Sequence, residues 1–138
     1  MIIGLTWGFT KMPQQELFFE RQVGGRRIEV IKTFDRSYAR EVFGNIDDDA
    51  KRSLAAALEI GKNYGPEDIP DPAGQDYDDF LWEELSEASL EDVRQSPRLC
   101  SFFVVTEATS GKARDIFISA DWPSAKEYAE AISHSIRL

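Results

Sequence analysis

Residues 16–34 read ELFFERQVGGRRIEVIKTF, two strand-forming runs hinged on Gly24-Gly25. Adjacent glycines supply the positive φ of a tight two-residue hairpin turn, and the alternation on either side supports strands at 16–23 and 26–34. With a period of two, Leu17, Phe19 and Val23 share one face, and Ile28, Val30 and Phe34 share one face of the partner strand. Glu20, Gln22, Arg27, Glu29 and Thr33 occupy the other side, which predicts a sheet with one wet face. Residues 2–9 offer an additional strand ahead of this pair, with Pro13 marking the break.

A second hairpin is read from 99–108 and 113–120, joined by Thr109-Ser110-Gly111-Lys112. Its strands are apolar on both sides. Phe103 and Val105 alternate with Phe102 and Val104, and Ile116 and Ile118 flank Phe117, a pattern that predicts a central place in the sheet. The first hairpin is then expected toward an edge.

The remaining segments carry helical signals. Asp35 is placed to cap a short helix ending at Gly44, with Ala39, Val42 and Phe43 inward. Asp47 is placed to cap a second, whose stripe is Ile46, Ala50, Leu54, Ala57, Leu58 and Gly61 and which Gly65-Pro66 stops. Residues 65–76 hold three prolines and two glycines and read as a long surface loop. Helical spacing resumes over 77–88 with Phe80, Leu81, Leu85 and Ala88 inward, and Ser89 with Asp92 resembles a capping box for a short restart. The chain closes on a helix from about Pro123 to Ile136, buried along Ala125, Tyr128, Ala129, Ile132 and Ile136. Strands and helices do not alternate as βαβ units. The expected fold is a single α+β domain over 1–138, an antiparallel sheet built from two hairpins with helices packed mainly on one face.

Charge singles out one part of this order. Between Lys62 and Arg94 there is no Lys or Arg, yet there are eleven acids; residues 47–94 hold fifteen acids against four bases, while the whole chain carries −9. Such a one-sided field attracts cationic surfaces and repels nucleic acid and anionic lipid. The basic residues Arg21, Arg26, Arg27, Lys32, Arg36 and Arg40 cluster in sequence, but their excess is small and the overall field opposes nucleic-acid binding. Neither a membrane-length apolar run nor a basic amphipathic helix is present, so no membrane partner is expected. Cys100 is the only cysteine and sits in an apolar run, which predicts a buried inert thiol and a cytoplasmic, reducing setting.

Chemistry-bearing motifs are few. The single histidine, His134, falls near the end of the last helix, where a cation is favoured by the dipole, and with Glu130 at i, i+4 it reads as a surface pair. There is no G-x-S-x-G nucleophile elbow, and Gly24-Gly25 and Gly111-Lys112 both lie between strands rather than at a strand-to-helix phosphate cradle. Asp47-Asp48-Asp49 and Asp76, Asp78, Asp79 lack the calcium-loop spacing and stand at helix starts, where capping accounts for them. No cofactor and no metal are predicted. What remains is the acidic segment interleaved with aromatics. Asp76, Tyr77, Asp78, Asp79, Trp82, Glu83, Glu84 and Glu87 are the predicted partner-binding residues, because aromatic anchors bind while surrounding carboxylates steer. Phe80 and Trp82 lie about 200° apart on a helix, so one of the two is expected at the surface. The reading is a non-enzymatic acidic binding protein, of the inhibitor or immunity type, that blocks a basic effector. Alternatives are a small-molecule binder or enzyme using carboxylates between sheet and helices, and a subunit of a larger assembly.

Overall fold

The computed structural model describes residues 15–90 and 101–134; the additional strand expected at 2–9, together with Cys100, Asp92 and Ile136, lies outside those residues. The elements run β1 (Gln15–Val23), β2 (Arg26–Thr33), α1 (Arg36–Asn45), α2 (Asp48–Ala57), α3 (Ile60–Asn63), a 3₁₀ turn (Pro66–Asp68), α4 (Gln75–Ser89), β3 (Phe102–Thr109), β4 (Lys112–Ser119) and α5 (Trp122–Ser133). The four strands form one antiparallel sheet in the order β1-β2-β3-β4, with the helices packed against it, an α+β fold. No helix of the described residues is long and apolar enough to cross a membrane.

Both hairpins form as two-residue turns, but they are built differently. In the first, Gly24 alone takes a positive φ, 61°. In the second the strands run to Thr109 and resume at Lys112, and Ser110 (43°) and Gly111 (83°) both take positive φ. Two successive positive φ values match the twist of the flanking strands. The central seam is the β2–β3 pairing, from Arg26 opposite Thr109 to Thr33 opposite Phe102. Each hairpin therefore gives one inner and one edge strand. The second hairpin is not central as a unit: β4 is an edge, and its apolar character is met by α1 and α2, which pack against it.

A bulge between Leu17 and Phe19 changes the faces of β1 from simple alternation. Phe18 and Phe19 both approach Trp122 of α5, at 5.4 and 6.4 Å between ring centres. Leu17, opposite Ile31, is left 57% exposed rather than sharing the inner face of Phe19.

Adjacent strand residues point to opposite faces, and β3 uses this to hold two layers. Phe102 stacks on Trp82 of α4 (5.8 Å, 10°) while Phe103 meets Trp122 of α5 (6.1 Å). Accordingly α4, with α1 beside it, covers one face and α5 the other. Every side chain of Phe102-Phe103-Val104-Val105 is buried. Removing each such side chain from water contributes about 1.5–3 kcal/mol. Capping sets the helix starts: Asp35, Asp47 and Asp121 accept hydrogen bonds from the backbone N–H of Tyr38, Ala50 and Ser124 at 3.1, 2.9 and 2.8 Å. On the α5 face, Arg26 donates to Glu107 Oε2 and to the Ile132 carbonyl, both at 2.9 Å, and so ties the sheet to the end of α5.

The helix expected to continue to Gly65 is broken earlier. α2 ends at Ala57, and Glu59 takes a left-handed φ of 57° before α3 starts. The short helix restart expected from Ser89 with Asp92 lies outside the described residues. Ser89 itself is the last residue of α4, buried, and its hydroxyl donates to the Ser86 carbonyl at 2.6 Å.

Candidate functional site

Helix α4 is fifteen residues long and has no Lys or Arg, with Leu81, Leu85, Ser86 and Ser89 buried. The opposite side carries Asp76, Asp79, Glu83 and Glu87, all exposed, at the i, i+3, i+7, i+11 spacing that aligns them along one stripe of about 16 Å. The helix begins with Gly74, which offers no side-chain cap, so Asp76 and Asp78 act there by complementing the positive end of the helix dipole instead of by capping.

The other four predicted residues turn aside, two to each flank. On one side Glu84 accepts a hydrogen bond from the Tyr64 hydroxyl at 2.6 Å, and Tyr64 also meets Phe80 edge-on at 5.2 Å. Tyr77 lies on this same flank, 6.5 Å from Phe80. The hydrogen bond to Glu84, followed by burial, pushes the Tyr64 phenol above its ordinary pKa, while burial and then Asp78 do the same for Tyr77. On the other side Lys51 of α2 reaches both oxygens of Asp78 at 3.1 Å.

Trp82 lies on this second flank, between Phe102 and Phe43 (5.6 Å) and beneath the guanidinium groups of Arg36 and Arg40, 5.3 and 5.5 Å from the indole centre. Neither Phe80 nor Trp82 is therefore the free aromatic expected from their angular separation. α4 is gripped on both flanks, by α1 and β3 on one side and by Tyr64 on the other, so two residues on opposite flanks are both half-buried.

Electrostatics within residues 47–90 sharpen the stripe. Its three described bases are each taken by a neighbouring acid: Lys51 by Asp78, Arg52 by Asp49, and Lys62 by Glu59 at 3.6 Å. Asp47 is used in capping, and Asp71 accepts from the Ala73 N–H at 3.0 Å. Among the described residues no ion pair engages Asp76, Asp79, Glu83 or Glu87.

Sequence reasoning missed Arg36 and Arg40. They are exposed, make no ion pair among the described residues, and stand beside the stripe over Trp82. Their i, i+4 spacing on α1 was the available signal. Elsewhere, His134 is exposed at the end of α5, its backbone N–H donating to the Glu130 carbonyl at 3.1 Å. No three His, Cys, Asp or Glu side chains among the described residues converge as metal ligands. Comparison with protein-family models, with curated proteins and with solved structures returns no match for this chain.

Proposed function

We propose that this protein is a non-enzymatic binding protein whose α4 face docks on a basic protein partner. In its concrete form it is an inhibitor of a basic effector, such as a nucleic-acid-cleaving enzyme, and competes electrostatically with the effector's anionic substrate. The observation that carries this reading is the alignment of Asp76, Asp79, Glu83 and Glu87 on one exposed stripe of a helix without bases, while Lys51, Arg52 and Lys62 are paired with other acids. A field of this kind accelerates encounter with a cationic surface and excludes polyanions. The Trp82 indole under two arginines adds the residue types enriched at interface centres, immediately beside the steering charges. A cytoplasmic partner suits the single cysteine of the chain.

The test is affinity capture with wild-type protein and with an Asp79→Lys, Glu83→Lys, Glu87→Lys variant. The expected result is a basic protein retained by the wild type and lost by the variant, with affinity falling as salt rises. An identical set of captured proteins would sink the proposal.

A further inference from the structure

A second concave surface lies away from α4, at the β4 edge where α2 and α5 approach each other. It encloses about 350 Å³, at the lower end of the roughly 300–1,000 Å³ typical of small-molecule sites. Its base is Phe117, 1% exposed, against which the Tyr128 ring stacks at 4.1 Å and 7°. Small side chains, Ala56 and Ala57, line the α2 side, and Ser124 and Glu127 line the α5 side. Those short side chains leave the volume open beside the Tyr128 ring.

The polar groups define what fits. Among the described residues Glu127 is the only charged side chain in the lining, and the remaining polar side chains there are hydroxyls. Among the described residues no lysine or arginine lines the cleft, so a carboxylate or phosphate ligand finds no counter-charge there and meets both Glu127 and the chain's net −9. A protonated amine attached to a planar apolar body has complementary contacts throughout. The body lies against the alanine methyls and the aromatic base, and the ammonium sits at the Glu127 carboxylate with the Ser124 hydroxyl as a further acceptor.

We infer that the α2–α5 cleft is a binding site for a small cationic aromatic amine. This site is separate from the α4 face and does not depend on the docking reading.

Titration of ¹⁵N-labelled protein with 2-phenylethylamine, 2-phenylethanol and 3-phenylpropionate tests it. The amine is expected to give saturable shifts centred on Ala56, Ala57, Glu127 and Tyr128, and the carboxylate none. Glu127→Gln should weaken the amine about five-fold, the value of one exposed charge pair, and leave the alcohol unchanged. Ala56→Phe, at an exposed position where folding is not at stake, should abolish binding of both by filling the cleft. Equal affinity for the carboxylate, shifts centred elsewhere, no saturable shift with the amine, or unchanged binding in the Ala56→Phe variant would each overturn the inference.

Discussion

Glu59 holds a left-handed backbone with φ of 57° immediately after the Leu58 C-cap of α2, the position where helices favour glycine. A side chain there costs about 1 kcal/mol, and its ion pair with Lys62 is exposed and worth little. Glu59→Gly is therefore expected to stabilise the protein by about 0.5–1 kcal/mol, read as a higher midpoint in urea with an unchanged m-value. Neither Leu58 nor Glu59 is a glycine or proline, and the nearest glycine, Gly61, lies inside α3, past the break. The stop is imposed by packing, which buries Ile60 and turns Tyr64 toward Glu84 and Phe80 of α4.

At the scale of elements, what was legible followed from local chemistry. Asp35 and Asp47 cap their helices because a carboxylate can reach an N–H three residues on, which needs no tertiary information; Asp121 caps α5 by the same chemistry, although sequence reasoning singled out only Pro123 there. The inward set Ala39, Val42 and Phe43 of α1 and the outward acids of α4 likewise follow from helical spacing. Three features required the rest of the molecule: the bulge that brings Phe18 and Phe19 together at Trp122, the edge position of β4, and the grip on both flanks of α4 that leaves Phe80 and Trp82 both half-buried. The stripe of the candidate site was thus readable, whereas the placement of Arg36 and Arg40 over Trp82 beside it depends on how α1 packs on α4.

The α4 stripe also predicts a conflict between stability and binding. Glu83 has a like charge four residues away on each side, Asp79 and Glu87, and such pairs oppose helix formation by about 0.2–0.5 kcal/mol each. Glu83→Lys converts both into attractive pairs. It should raise stability by about 0.5–1 kcal/mol in urea denaturation while weakening capture of the basic partner. A loss of stability would mean that Glu83 is held by contacts within the fold.

The whole molecule depends on links between layers, and one of them titrates. Tyr38 of α1 donates its hydroxyl to Asp115 of β4 at 3.0 Å, and Thr106 of β3 donates to the other oxygen of the same carboxylate at 3.0 Å. Burial first, then the charge of Asp115 and the hydrogen bond to it, hold the Tyr38 phenol neutral far above its ordinary value of 10.0. The folded protein therefore keeps a proton that the unfolded chain releases. This contribution to stability is complete below about pH 10 and declines as pH rises above it. Tyr38→Phe is expected to cost about 1 kcal/mol at pH 7, with Asp115 still bonded to Thr106, and to make the decline above pH 10 shallower in denaturant titrations. A decline of equal slope in both proteins would assign the alkaline loss to other groups.

The seam between β2 and β3 carries a consequence for how the chain is made. Thr33 pairs with Phe102, so the inner strand of the first hairpin must wait 69 residues for its partner. At about 5–20 residues per second of translation, that interval lasts roughly 3–14 s. Throughout it, a fully formed β1–β2 ribbon would present Ile28, Val30 and an unsatisfied row of amides to the ribosome surface and to any passing chain. Synthesis from end to end thus leaves this protein most vulnerable to trapping by chaperones or neighbours just before its last hairpin emerges.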